Sequence, residues 1–523
     1  LFSSGLPLTH DGQDHVVRIA NFYKNLQEGN IVPRWAGNLN WGYGHPVLMF
    51  LYPLPSYMAS LFHFLGASFV DSVKLVFGIS FILSGFSMYV WIKSFWSREA
   101  AFFASTLYLF APYRFIDLYV RGAIGEHVAF IFPPLIFYFL LKLSRNPKWT
   151  HIIGGSLSLA GFILSHNAIT LMFLPIIFLY IFYLIYQSKL KTSFMLNTLY
   201  LILIGFGLAS FFWVPAFFEG KYTLRDIVTK GAYLTRFVNP KDFLYGLWSY
   251  GGTGQFTVQV GIVQWVMVLV SILLLWTKKR KETMLIGGAL VLFGLTLFIM
   301  TEYSSFLWLM ITTLQKFQFP WRFLSVIVFL TALMGGFVVE FLGKNKKMIV
   351  IGLVLITLFV NKDYWHANGF LQKPETFYTG VYDGTTDTGE SAPIWSIRFM
   401  EKRPDRRAEV ISGMAYITEL QRSSTSHTYS IVSETKSQIR ENTIYFPGWH
   451  VFVGNNEVPL EFQDQHNRGV MTFLLSQGEH TVRVVFRDTR LRTIGNYISL
   501  GCLVILCAYS ILRIRLWRRF RLY

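Results

Sequence analysis

Three residues near the start of the chain, Asp11, Asp14 and His15 in THDGQDHVVRIANFYKNLQEG, fall at i, i+3 and i+4. A helix beginning there presents all three on one face, which suits a general base or a divalent cation. The same spacing suits plain helix chemistry, with Asp11 as N-cap and Asp14 in the first turn, where negative charge is favoured. The two readings are compatible. A second group, in APYRFIDLYVRGAIGEHVAF, brings Arg114, Asp117, Arg121, Glu126 and His127 into fourteen residues beside a helix start. A guanidinium fork suits a phosphate and a carboxylate orients a sugar hydroxyl; the plainer alternative is an interfacial salt-bridge set with Glu126 against a helix dipole. His166, in Ser165-His166-Asn167, is a site residue or only the turn of a helical hairpin. Arg322, in Phe317-Gln-Phe-Pro-Trp-Arg-Phe323, meets a lipid phosphate or anchors a helix at headgroup depth, the commoner role of such an arginine.

These groups stand out because residues 1 to 361 hold only thirteen carboxylates, and ionisable groups near lipid are costly without a use. The 523 residues are 53% hydrophobic and 15% charged, against about 25% charged in soluble domains. With a mean hydropathy of +0.41, they describe a polytopic membrane protein. An aromatic content of 18% excludes a disordered chain. The net charge of +18 sits in short loops between apolar runs and points to no nucleic-acid partner. No GxxxxGK followed by Ser or Thr, no HExxH and no CxxC occurs, so no nucleotide loop or zinc motif of those kinds is present. The two cysteines, Cys502 and Cys507, both lie in the last apolar segment.

Apolar runs near 71–92, 99–112, 127–143, 152–166, 168–187, 193–216, 258–276, 283–300, 320–342, 347–361 and 494–512 predict eleven spans. A further run, 46–66, carries Pro46, Pro53 and Pro55 and is expected to lie along the surface. That count puts every basic cluster on the cytoplasmic side, including KKRK at 278–281, KNKK at 344–347 and RIRLWRRFR at 513–521. One more helix is expected ahead of Leu1, for twelve. Alternation in Thr481–Arg487, with Val482, Val484 and Phe486 on one face, predicts strands, and turns at Gly454–Glu457 and Ser476–Glu479 predict two hairpins. The expected organisation is a first outer loop with juxtamembrane helices (1–70) and a transmembrane helical domain (71–361). An extracytoplasmic antiparallel β-rich domain (362–492) follows, then a final span with a basic cytoplasmic tail (493–523).

Several ordered pieces carry a resemblance. They are His10-Asp11 with His15 and Arg18, GNIVPRW at 29–35 with Arg34, GYGHP at 42–46, YPLPSYM at 52–58, and APYRF with Asp117, Arg121 and Gly125-Glu126. Ser165–Asn167, FPWRF at 319–323, TGESAP at 388–393 with Glu390, and YFPGWHVFVGNNEV followed by SQGEHTVRVVFRDTRLR complete the set. Together they resemble the GT-C class of polytopic glycosyltransferases. Within it the chain is most similar to bacterial membrane proteins labelled 6-pyruvoyl-tetrahydropterin-synthase-related and to relatives that modify lipoteichoic acid. Ser391-Ala392 departs from the bulkier Tyr-Leu pair expected beside Glu390. The resemblance implies transfer of a sugar from a polyprenyl-phosphate carrier to an envelope glycan, lipid or protein, without a nucleotide sugar. The reaction is expected on the extracytoplasmic face of the bacterial cytoplasmic membrane. Asp11 is implied as general base, with Arg121 and Arg322 holding the departing phosphate. Asp14, His15, Arg34, Asp117, Glu126, His166 and Glu390 are implied in substrate binding, and a divalent cation is the one cofactor considered. The alternatives are a non-catalytic scaffold of the same fold or a transporter of lipid-linked sugars; the scarcity of carboxylates within the spans weighs against the latter.

Overall fold

The computed structural model describes residues 3–251, 256–277, 283–343 and 345–520, with side chains to residue 509. The KKRK cluster at 278–281 and Lys344 lie outside the described residues, as do the side chains of the 513–521 tail.

Each of the eleven apolar runs is helical, since an apolar segment in lipid must satisfy its backbone internally. Among the described residues seven helices are long and apolar enough to cross a membrane: Phe69–Ile92, Ile124–Arg145, Asn167–Gln187, Lys191–Leu208, Thr283–Met300, Pro320–Glu340 and Arg490–Tyr509. The other four runs form Arg98–Leu109, Trp149–Ser165, Ile262–Thr277 and Lys346–Val360, of 12, 17, 16 and 15 residues. At about 1.5 Å per residue they are shorter than a hydrocarbon core of about 30 Å. Length and hydropathy thus support seven of the eleven expected crossings among the described residues. The run 46–66 breaks where its prolines dictate, into Val47–Phe50 and the 11-residue Leu54–Phe64, neither able to span.

The innermost span is Pro320–Glu340, 94% buried. Gly335 allows Arg98–Leu109 to approach it, because a side chain there would run into Leu107. Trp91 stacks on Phe329 at 4.9 Å in the same core.

Strand β1 (Leu6–Pro7) pairs antiparallel with β2 (Phe370–Leu371), tying the first segment to the chain that leaves the helical bundle. A sandwich follows, built from β3 (Ala408–Ser412), β4 (Ala415–Arg422), β5 (Ser426–Ser433), β6 (Ser437–Ile444), β7 (Trp449–Val453), β8 (Asn456–Val458), β9 (Val470–Leu475) and β10 (Gly478–Phe486). Its sheets run β4-β5-β10-β7-β8 and β3-β6-β9, antiparallel throughout. Val482 and Val484 alternate into the core with Ile431, Ile439 and Val451. The Gly454 turn closes the β7–β8 hairpin. Ser476–Glu479, however, closes none. It carries the chain from β9, paired with β6, to β10, paired with β5 and β7, so the two strands lie in different sheets. The sandwich strands begin at Ala408; within the described residues 362–407, β2 is the one strand.

Candidate functional site

Pro112 opens a single turn, Pro112–Phe115, and Ile116–Arg121 then widens into π geometry, a form common at functional sites. The turn ends on Gly122, whose φ of +67° is left-handed and where a side chain would collide with Thr9. With none there, the N-terminal segment lies directly against the turn. The His10 amide donates to Val120 O at 2.9 Å and the Asp11 amide to Arg121 O at 2.8 Å. Two backbone bonds thus fix Asp11 beside Arg121.

The next helix, Ile124–Ala129, holds Glu126 fully buried. Tyr113 OH donates to its Oε2 at 2.8 Å. Its Oε1 lies 2.8 Å from Arg121 Nη1 and 2.7 Å from Arg322 Nε, contacts that are ionic and off line for hydrogen bonds. Arg121 Nη1 also donates to Asp117 Oδ1 at 3.0 Å. One buried carboxylate is therefore bracketed by two guanidiniums, which is how such a charge is tolerated away from water. His166 caps helix Asn167–Gln187, its Nδ1 accepting from the Ile169 amide at 3.3 Å. In the neutral ring that leaves the proton on Nε2, which faces Glu126 Oε1 at 3.9 Å. Tyr52 stacks on the same ring at 4.8 Å. His166 is both turn residue and site neighbour.

The first helix, Gly12–Gln27, has Asp11 at its N-cap position, but Thr9 Oγ1 takes the capping bond from the Gly12 amide at 3.1 Å. The Asp11 carboxylate is left exposed, without a hydrogen bond or ion pair among the described residues. Asp14 and His15 do not converge with it on an ion. Tyr382 OH donates to Asp14 Oδ1 at 2.8 Å, and Arg18 Nη1 donates to His15 Nδ1 at 3.1 Å. No group of three or more His, Cys, Asp or Glu side chains is gathered for a metal among the described residues. Burial raises the Asp14 carboxyl against the opposing Tyr382 hydrogen bond. Burial also pushes His15 well below its usual value, with Arg18, Arg121 and His166 adding to the effect, which leaves it neutral.

The segment around 381–391 crosses this helix. Arg18 Nε donates to Thr386 Oγ1 at 3.2 Å and Nη2 to the Thr386 carbonyl. Asp387 accepts from the Gly389 and Ser391 amides at 2.9 and 3.0 Å and faces His45 Nε2 at 3.4 Å. Burial opposes its charge, yet His45 and these hydrogen bonds hold its carboxyl below the usual range. The turn so formed places Glu390 where Gln318 Nε2, on a residue at φ +61°, donates to it at 2.8 Å. Burial raises the Glu390 carboxyl, and the charge on Asp387 adds to this.

Asp11, Asp14, His15, Asp117, Arg121, Glu126, His166, Arg322 and Glu390 are thus linked in one region by contacts or through the charges they share. Arg34 is elsewhere. Its Nε pairs with Asp488 at 2.9 Å, Nη2 donates to Asn496 at 2.9 Å and Nη1 to the Phe211 carbonyl at 3.2 Å, which spends the side chain on holding the last helix. Arg114 and His127 also turn away, Arg114 to Ser84 and the Phe130 ring, His127 to within 3.8 Å of Asp117. Tyr52 and Tyr113, from the YPLPSYM and APYRF pieces, join the site, as do Gln318, Tyr382, Thr386 and Asp387, to which the sequence assigns no role. Tyr113 adjoins the Arg114 cluster and was within reach of that reasoning; Gln318 carries no local signal.

Comparison with known proteins matches residues 48–365 to a family described as 6-pyruvoyl-tetrahydropterin synthase related domain, membrane protein. The matched stretch holds Tyr52, Tyr113, Asp117, Arg121, Glu126, His166 and Arg322, while Asp11 and Glu390 lie on either side of it. A protein of Lactococcus lactis subsp. cremoris (strain MG1363), named only as uncharacterized, is 26% identical over 221 residues, 39% of this chain and 35% of the relative. The chain thus matches about a third of that relative's length.

Proposed function

We propose that this chain, which belongs to the 6-pyruvoyl-tetrahydropterin synthase related family of membrane proteins, transfers a sugar from a polyprenyl-phosphate carrier to an acceptor hydroxyl. The reading is a GT-C type reaction at the extracytoplasmic face of a bacterial cytoplasmic membrane, with an envelope glycan, lipid or protein as acceptor. The carrying observation is the exposed, uncommitted carboxylate of Asp11, held by a backbone bond at 2.8 Å next to the residue whose guanidinium brackets Glu126. Asp11 takes the acceptor proton, and the hydroxyl oxygen attacks the anomeric carbon. The bond from that carbon to the phosphate oxygen breaks, and the lipid phosphate leaves with the electron pair.

Arg121 commits Nη1 to Glu126, Asp117 and Tyr113, leaving Nε and Nη2 without hydrogen bonds among the described residues. Arg322 uses Nε and Nη1, leaving Nη2. These unspent donors are available to the charge that develops on the leaving phosphate, and Glu126 keeps them oriented. The test is transfer from a synthetic lipid-linked sugar by purified protein. Asp11→Asn should lower turnover by about 10² to 10⁴-fold with the melting temperature unchanged; near wild-type transfer sinks the base assignment.

A second reading, transport of a lipid-linked sugar, draws on Arg114, Asp117 and His127, all buried with polar atoms left unpartnered. Translocation of a labelled lipid-linked sugar in vesicles, with no glycosidic product, would favour it.

A further inference from the structure

Between the first segment and the chain entering the span Pro320–Glu340 lies a cavity of about 770 Å³, walled by His10, Arg236, Tyr250, Phe256, Phe319 and Trp321 among others. Its aromatic wall is continuous: Trp321 meets Phe256 edge-on at 4.9 Å and Phe319 at 4.9 Å. Arg236 lines the cavity, and two further guanidiniums lie against rings of its wall. Arg121 lies 4.8 Å over Trp321, while Arg322 and Arg236 lie 5.0 and 4.3 Å from the Phe319 ring centre. The last two carbons are therefore no more than about 9 Å apart.

Their partners differ. Arg121 and Arg322 share Glu126, but the Arg236 guanidinium makes no hydrogen bond or ion pair among the described residues, and the charge acting on it is that of Arg322. Arg236 is half-buried, and a cation beside another cation with no carboxylate to answer it gives the cavity a positive field that attracts an anion. The cavity also lies where two apolar helices, Ile262–Thr277 and Leu324–Glu340, begin, the depth at which lipid headgroups sit.

We propose that this cavity binds the phosphate of an amphiphilic phosphate ester, with Arg236 as the cation dedicated to it and the Phe256–Trp321 wall against its apolar chain. The claim rests on the transferase reading only for the idea that such an ester is a donor; binding itself needs no turnover. Arg236 belongs to none of the motifs read from the sequence, and it extends the phosphate-holding set from two arginines to three.

The experiment measures affinity of the detergent-purified full chain for farnesyl phosphate, inorganic phosphate and farnesol, by native mass spectrometry and by fluorescence. Farnesyl phosphate should bind more tightly than either fragment. Arg236→Gln should weaken it about 10- to 100-fold, the worth of a hydrogen bond to a charged group, and leave farnesol unchanged. Arg236→Lys should recover part of the loss, and Phe256→Ala should weaken farnesyl phosphate while sparing inorganic phosphate. Unchanged farnesyl phosphate affinity in Arg236→Gln, at an unchanged melting temperature, overturns the proposal. Inorganic phosphate binding as tightly as farnesyl phosphate overturns the amphiphile. Binding that depends on Arg236 in a protein that transfers no sugar defeats the transferase reading alone.

Discussion

Replacing Glu126 by Gln is the sharpest perturbation the site offers. The amide keeps the volume and can still accept from Tyr113, so shape and one hydrogen bond survive. What disappears is the single charge lying 2.8 Å from Arg121 and 2.7 Å from Arg322, in a side chain with no exposure. Two guanidiniums, 8% and 13% exposed, then face each other across a neutral group. Asp117 still answers Arg121 at 3.0 Å, but nothing within ion-pair distance answers Arg322 among the described residues. Removing one partner of a buried pair costs about 3 to 5 kcal/mol, chiefly through the charge left behind. Denaturant titration of the detergent-purified protein should therefore show Glu126→Gln destabilised by about that amount. Removing the stranded cation as well, in Glu126→Gln with Arg322→Gln, should restore a substantial part. A stable single variant, or a double variant no better than the single, would refute the claim that Glu126 exists to hold the two arginines.

Arg121→Ala should weaken donor binding more than it alters the pH profile of transfer; unchanged donor affinity would count against its phosphate role. Arg34→Ala should lower stability, through loss of the Asp488 and Asn496 contacts, while leaving donor affinity intact, and a binding defect without a stability change would return it to the site. The Asp387 carboxyl is held below its ordinary value of 3.8, so it contributes stability above that pH and loses the contribution as pH falls further. Asp387→Asn should flatten that acid limb of a stability-against-pH curve, and an unaltered limb would show that the His45 contact does not act this way.

Hydropathy is a local property, and all eleven apolar runs were legible as helices for that reason. Whether a run is long enough to cross depends on where its helix starts and breaks. The run 193–216 divides at Ala209, which local composition did not reveal. Alternation likewise identified β10 but was silent on its partners, so the turn before it read as a hairpin when it is a passage between sheets. The Asp117–Arg121–Glu126 triangle was visible because its members are neighbours in the chain. Arg322 and His166 could be suspected only by type, since helix packing brings them to Glu126 from 196 and 40 residues away. Arg34 sits near Asp11 in sequence, while its side chain reaches Asp488 and Asn496 at the last helix. Arg236 was invisible: in KGAYLTRFVN nothing about its spacing distinguishes it from a loop cation.

The segment that carries Tyr382, Thr386 and Glu390 across the first helix also sets a schedule. The arginines and Glu126 are complete once Arg322 is made, but their covering chain comes later. At about 5 to 20 residues per second, the 68 residues from Arg322 to Glu390 take about 3 to 14 s to synthesise. During that interval the nascent chain holds paired guanidiniums without the groups that close over them. The covering groups therefore join the site after its charges are made, and a chain interrupted between Arg322 and Tyr382 would carry the charged cluster without Glu390 or the contacts to Asp14 and Arg18.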